Sequence, residues 1–131
     1  EMLRSLVGSE MCIRDSPTDL QAQLIATQLK SGLKSKVVEN IFENRFIHIP
    51  ELRRFGANLS IKGNTVTIDK TSNLLGAEVM ATDIRASFSL IIAAMMSKGK
   101  TVINRIYHLD RGYEDFDLKL KKCGVNISRK K

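Results

Sequence analysis

The pentapeptide TDLQA at residues 18–22 returns in a variant form, TDIRA, at residues 82–86. A repeated supersecondary unit constrains the fold class before any single element is assigned. Thr and Asp are favoured N-cap residues, so each copy predicts the beginning of a helix. Apolar residues follow at helical spacing in both copies, which supports the two helices. They are Leu20, Leu24, Ile25 and Leu29 in the first copy and Ile84, Phe88, Ile91, Ile92 and Met95 in the second.

The elements after each helix come in the same order. Each copy predicts a strand, a polar loop with an arginine, a second helix that ends at a glycine, and a further strand. In the first copy the strand is Val37–Phe42, the loop 43–46, the second helix Pro50–Phe55 and the further strand 56–61. In the second copy the strand is Thr101–Tyr107, the loop 110–113, the second helix Tyr113–Cys123 and the further strand 124–128. Gly63-Asn64 predicts a hairpin turn into a strand at Thr65–Ile68. Residues 78–81 predict the strand that opens the second copy.

The sequence therefore predicts an α/β (α+β) fold of two α-β-α-β-β repeat units, at about residues 17–70 and 77–131. Residues 1–16 show neither helical nor alternating periodicity and end at Pro17, so we predict that they are a leader outside the fold. The strand that symmetry demands before the first helix is then missing. We therefore expect a chain truncated at its amino end, the tail of a larger protein.

Composition excludes several classes of protein. The chain has 131 residues, 43% of them hydrophobic, and no apolar run long enough to span a bilayer. Its two cysteines are too few for a disulfide scaffold and lack zinc-ligand spacing. The net charge of +7 is concentrated after Asp117, and the chain's seven aromatic residues are five Phe and two Tyr. We predict no nucleic-acid partner, no membrane partner and a reducing, cytoplasmic location.

Four charged residues are candidates for chemistry. Helix amino termini and arginine side chains both favour anions, so Arg85 and Arg111 predict an anionic ligand. If the two repeats pack about a pseudo-symmetry axis, their helix starts and arginines gather on one face, where Asp19 could remove a proton from a hydroxyl group. Spacing alone leaves the alternatives open: Asp19 and Asp83 as helix caps, and the two arginines as surface ion-pair residues. His48 and His108 lack catalytic partners and are predicted to be structural. Cys123 is also predicted to be structural, as a buried residue.

Five motifs together resemble the carboxy-terminal quarter of the bacterial UDP-N-acetylglucosamine 1-carboxyvinyltransferases, from Pro17 to the end. They are PTDLQAQ at 17–23, IFENRF at 41–46, ELRR at 51–54, MATDIRAS at 80–87 and RIYHLDRGYE at 105–114. The resemblance implies part of a two-domain inside-out α/β barrel of six repeats. It also implies transfer of enolpyruvyl from phosphoenolpyruvate to the 3′-hydroxyl of UDP-N-acetylglucosamine, with release of phosphate, as the first committed step of peptidoglycan synthesis. No metal or organic cofactor is implied.

The resemblance also implies residue roles. Asp19 resembles the carboxylate that contacts the sugar 3′-hydroxyl and serves as its base, and Ile41 resembles the residue whose backbone meets the UDP-sugar. Arg85 and Arg111 are similar to the arginines that grip phosphoenolpyruvate and stabilise charge in the tetrahedral intermediate. Asp83 resembles a carboxylate near the reacting carbon.

Some of the family's pattern has no counterpart in this sequence. Its amino-terminal lysine and asparagine, its uridine-contacting segments and its mobile-loop cysteine are absent, and neither Cys12 nor Cys123 lies in that motif. We therefore expect no turnover from this polypeptide without the missing amino-terminal part of the same enzyme as a partner. The alternative is a non-catalytic repeat module that holds an anionic metabolite or a protein.

Overall fold

The computed structural model describes residues 10–13, 18–41 and 44–130. A single 3₁₀ turn at Thr18–Leu20 precedes the first helix. The helices are α1 (Gln21–Gln28), α2 (Ile49–Arg54), α3 (Ile84–Met96), α4 (Tyr107–Asp110) and α5 (Phe116–Lys122). The strands are β1 (Glu10–Ile13), β2 (Lys34–Val38), β3 (Leu59–Lys62), β4 (Thr65–Ile68), β5 (Glu78–Met80) and β6 (Val102–Asn104). The mixed helix and strand content confirms the predicted α/β class.

The backbone repeats as the sequence does. β1 pairs in parallel with β2, with Glu10 opposite Lys34, and β5 pairs in parallel with β6, with Glu78 opposite Val102. In both units the paired residues are 24 positions apart, and a helix, α1 or α3, crosses between the two strands. Parallel strands need such a crossover. The two crossover helices pack against each other, so the repeats share one interior.

Strand β1 lies within the segment that the sequence predicts to be a leader outside the fold. Glu10–Ile13 add to the edge of β2 through backbone hydrogen bonds, which any non-proline sequence can make. The side-chain pattern of these residues therefore does not predict strand β1. β1 occupies the position that the repeat leaves empty before the first helix, so the sheet begins before the predicted boundary at residue 17. Residues 1–9 and 14–17 lie outside the described residues.

The first repeat completes a four-stranded sheet in the order β1-β2-β4-β3. β2 and β3 both pair antiparallel with β4, and the β3–β4 hairpin turns at Gly63-Asn64 as predicted. Gly63 has a φ of +60°, a conformation that glycine adopts without a steric penalty. The strand predicted at Val37–Phe42 instead begins at Lys34 and ends at Val38, because its register is fixed by β4.

The second repeat differs from the first after β6. Tyr107 begins α4 instead of ending a strand as the sequence predicts, and α5 begins at Phe116 rather than Tyr113. Residues 124–128 form no strand, because the described part of the chain offers this stretch no hairpin partner. Instead, the Val125 N–H donates to the Leu120 carbonyl across Gly124, which closes the end of α5.

The main core lies between the four-stranded sheet and helices α1, α2 and α3. Its fully buried members include Ile25, Leu52, Phe55, Val66 and Ile68. A smaller core joins α3 to the following segment through Ile91, Leu109 and Phe116. No helix in the described ranges has the length and apolarity to cross a membrane.

The apolar stripe predicted on α3 is buried in its middle, and one burial prediction was wrong. On α3, Ile91 of that stripe is buried, as are Ala86, Leu90 and Ala93, while the two ends of the stripe, Ile84 and Met95, are substantially exposed. Cys123 is exposed at the end of α5 rather than buried.

Candidate functional site

The two equivalent aspartates at the helix starts do different things. Asp83 caps α3, with its Oδ1 accepting a 2.7 Å hydrogen bond from the Ala86 N–H. Asp19 lies in the 3₁₀ turn before α1, whose N-cap residue is Leu20 and has no side-chain cap. Capping therefore explains the contact of the Asp83 carboxylate, whereas the Asp19 carboxylate makes a different contact.

That contact is an ion pair between the repeats. The Nε of Arg85, in the first turn of α3, lies 2.9 Å from Oδ1 of Asp19. The side chains are 68% (Asp19) and 44% (Arg85) exposed, so a ligand can reach both. An ion pair this exposed contributes little to stability. The predicted meeting of an acid and an arginine from the two repeats is present in the structure.

Arg111 lies at the end of α4 in a loop anchored on the beginning of α3. Gly112 packs so closely on Ile84 that an added Cβ would lie 2.7 Å from the Ile84 Cγ2. Tyr113 stacks on Phe88, one turn further along α3, with ring centroids 4.7 Å apart. These contacts bring the loop that carries Arg111 to the beginning of α3, where Arg85 lies. Arg111 itself is exposed.

Asp110, beside Arg111 in the chain, is engaged by a distant arginine. Arg129 donates from Nη2 to Asp110 Oδ1 at 2.6 Å and from Nη1 to Oδ2 at 3.1 Å. The hydrogen bond to Asp110 is also the main cause that raises the pKa of Arg129. The sequence pattern indicates only a solvated basic tail around Arg129 and does not reveal this pair.

Ile41 follows β2 and is 69% exposed. Ile41 is part of the lining of a cavity of about 790 Å³, which lies between the residues that follow β2 and the β3–β4 turn. Its N–H donates to Glu39 Oε1 at 2.9 Å, and Glu39 Oε2 accepts a 2.6 Å bond from Gln21 in the first turn of α1. Glu39 thus links the Ile41 loop to the helix that follows Asp19, a link that no sequence motif indicates.

His48 lies just before α2 and is only 1% exposed. Burial lowers its pKa from 6.5 to about 4, and the negative charge of nearby Asp83 opposes that shift. The imidazole is therefore neutral near pH 7. Within the described ranges, no group of three or more His, Cys, Asp or Glu side chains could hold a metal ion. Asp19 and Arg85 form an exposed carboxylate–guanidinium pair, and the loop that carries the exposed Arg111 packs on the same helix as Arg85. A carboxylate can take a proton from a hydroxyl group, and guanidinium groups suit an anionic ligand.

Comparison with known proteins gives consistent results. The profile of the family described as EPSP synthase (3-phosphoshikimate 1-carboxyvinyltransferase) matches residues 10–120. Among curated relatives, UDP-N-acetylglucosamine 1-carboxyvinyltransferase of Rhodopseudomonas palustris (strain TIE-1) is 58% identical over 113 residues, which is 86% of this chain and 26% of that protein. The protein of the same name from Pelagibacter ubique (strain HTCC1062) is also 58% identical over 113 residues, 86% of this chain and 27% of its own length.

A solved structure shows the same fold. The crystal structure of the enolpyruvyl transferase NikO from Streptomyces tendae matches with a TM-score of 0.81 and 28% identity, over 91% of this chain and 28% of that one. This chain spans about a quarter of the length of the curated relatives it matches. Because the family profile matches most of the chain, and curated relatives are more than 50% identical to it, the chain belongs to the EPSP synthase family of enolpyruvyl (carboxyvinyl) transferases.

Proposed function

We propose that this chain supplies the phosphoenolpyruvate-gripping and proton-abstracting part of a UDP-N-acetylglucosamine 1-carboxyvinyltransferase of the peptidoglycan pathway. The observation that carries the proposal is the 2.9 Å contact between Asp19 and Arg85, which joins a carboxylate and a guanidinium group from two repeats. Relatives of that name at 58% identity support the assignment of the substrates.

The reaction needs one proton removed and two negative groups held. Asp19 takes the proton of the sugar 3′-hydroxyl as its oxygen bonds to C2 of phosphoenolpyruvate, whose methylene carbon is protonated to a methyl group. The tetrahedral intermediate then loses a proton from that methyl carbon, re-forms the double bond and releases inorganic phosphate. Arg85 and Arg111 hold the carboxylate and phosphate through both stages.

The remaining candidates position the substrates. The Ile41 backbone contacts the UDP-sugar at the cavity between its loop and the hairpin turn, and Asp83 lies near the reacting carbon while it caps α3. The acid that protonates the methylene carbon comes from outside this chain. The 131-residue polypeptide alone is therefore expected to show no turnover.

A chimaera tests the proposal. The matched 113 residues of this chain replace their counterparts in the R. palustris transferase, and phosphate release is measured with both substrates. We expect activity in the chimaera and a loss of at least about 100-fold in Asp19→Asn. Asp69→Asn removes another exposed acid, which lies 3.7 Å from Lys34, and should retain activity. A folded chimaera without phosphate release would contradict the proposal.

A further inference from the structure

Glu39 is a buried carboxylate between the two elements that carry Asp19 and Ile41. We propose that Glu39 is a positioning residue, which fixes the Ile41 backbone relative to the start of α1 and so sets the affinity for the nucleotide sugar. This inference rests on the proposed function, since it needs Ile41 and Asp19 to contact the same substrate.

The contacts of Glu39 point in two directions. Its Oε2 accepts from Gln21 Nε2 at 2.6 Å, and its Oε1 accepts from the Ile41 N–H at 2.9 Å. Gln21 is two residues after Asp19, at the first position of α1. One carboxylate therefore connects the helix of the base with the loop of the substrate-contacting backbone.

The main chain of Glu39 is fixed as well. Its N–H donates to the Asn64 carbonyl at 2.9 Å, and the neighbouring Asn40 accepts a 2.9 Å bond from the Asn64 side chain. The loop after β2 is thus held by the hairpin turn on one side and by α1 on the other. The cavity of about 790 Å³ lies at this junction, with Ile41 and Asn64 in its lining. A shift of the loop would alter the cavity and the distance from Ile41 to Asp19 together.

A carboxylate suits this position because both bonds require an acceptor. Glu39 is 8% exposed and Gln21 is 6% exposed, so a lost bond is not replaced by bulk water without cost. Glu39→Leu keeps a side chain of similar size and removes both acceptor oxygens, so the Ile41 N–H and Gln21 Nε2 both lose the acceptor at position 39.

Glu39→Gln is the conservative variant. Its amide oxygen accepts from the Ile41 N–H, and its amide nitrogen donates to Oε1 of Gln21 once the Gln21 amide is turned. Both hydrogen bonds of position 39 are therefore kept in Glu39→Gln and lost in Glu39→Leu.

The experiment measures kcat and both KM values in the chimaera described above. We expect Glu39→Leu to raise KM for UDP-N-acetylglucosamine at least about tenfold, the effect of one lost hydrogen bond. The KM for phosphoenolpyruvate and kcat should change less than about twofold, and Glu39→Gln should keep the original KM. In the 131-residue chain, the Ile41 amide should exchange hydrogen at least about fivefold faster in Glu39→Leu and at close to the original rate in Glu39→Gln.

Glu51→Leu is the matched control, because Glu51 also accepts from a backbone N–H, that of Met80 at 2.8 Å. It should move neither KM. An active chimaera whose KM for the nucleotide sugar is the same in Glu39→Leu, or is raised as much in Glu39→Gln as in Glu39→Leu, overturns the positioning role alone. A folded chimaera that has Glu39 intact and yet no transferase activity overturns the proposed function, and this inference with it.

Discussion

Oδ1 of Asp19 lies 2.9 Å from Nε of Arg85, and the two residues come from the corresponding helix starts of two repeats. Asp83, the repeat equivalent of Asp19, caps its own helix, whereas Asp19 reaches across to the other helix. The packing of α1 against α3 makes this contact possible. The corresponding helix starts of the two repeats thus place a carboxylate and a guanidinium group on one exposed surface.

Arg85→Ala should separate binding from stability. Because the ion pair is exposed, the free energy of unfolding of the 131-residue chain should change by less than about 1 kcal/mol. In the chimaera, loss of a charged hydrogen bond to phosphoenolpyruvate should raise its KM by about 10- to 100-fold. Urea unfolding and phosphate release measure the two effects. Arg54→Ala removes an arginine that pairs with Glu51 and should leave that KM unchanged; equal KM effects would contradict the role of Arg85.

The two roles of Asp83 can also be distinguished. Asp83→Ala removes the bond to the Ala86 N–H and should lower the free energy of unfolding by about 1 kcal/mol. Asp83→Asn retains an N-cap acceptor and should unfold within a few tenths of a kcal/mol of the parent chain. If the charge contributes to the reaction, both variants should lower phosphate release in the chimaera equally. Full activity in Asp83→Asn would leave Asp83 with the capping role alone.

The parts of the fold predicted from the sequence are those determined by local chemistry. Gly56 and Gly124 end α2 and α5 with φ values of +84° and +88°, and Gly63-Asn64 makes the hairpin turn. Helix caps, glycine stops and apolar spacing are properties of a few neighbouring residues. The repeat extended these predictions from one copy to the other.

The remaining features depend on residues distant in sequence. β1 exists because β2 has an edge to pair with, and residues 124–128 form no strand because no partner is available among the described residues. Side-chain pairs such as Arg129 with Asp110 and Glu39 with Gln21 join positions 18 or more residues apart. Nothing in the local pattern distinguishes these residues from ordinary polar ones. The contact of Asp19 with Arg85 could be predicted only because the repeat relates their positions.

Gly112→Ala tests the anchoring of the Arg111 loop. The added methyl group would lie 2.7 Å from the Ile84 Cγ2, so the loop or the start of α3 must move. We expect a loss of about 1–3 kcal/mol in urea unfolding, as in other overpacked sites. Ile84→Ala removes that methyl group and should restore most of the loss in the double variant. Ile84→Val retains it and should restore little; equal restoration by both would contradict this contact.

His48 should make the stability of the chain depend on pH. Its pKa is about 4 in the folded protein, against 6.5 for a solvent-exposed histidine, so between these values the unfolded chain binds the additional proton. The stabilisation from a neutral His48 is fully present above pH 6.5 and is lost as the pH falls towards 4, by about 3 kcal/mol in total.

His48→Gln removes this titration while it keeps a polar side chain of similar length. The difference in the free energy of urea unfolding between pH 7 and pH 4.5 should therefore be smaller in His48→Gln than in the parent chain, by about 2–3 kcal/mol. The remaining pH dependence comes from carboxylates and is common to both proteins. His108→Gln, the substitution of the second histidine, keeps His48 and should retain the steep fall. An identical fall in the parent chain and His48→Gln would mean that His48 takes up its proton in the folded state as readily as in the unfolded one.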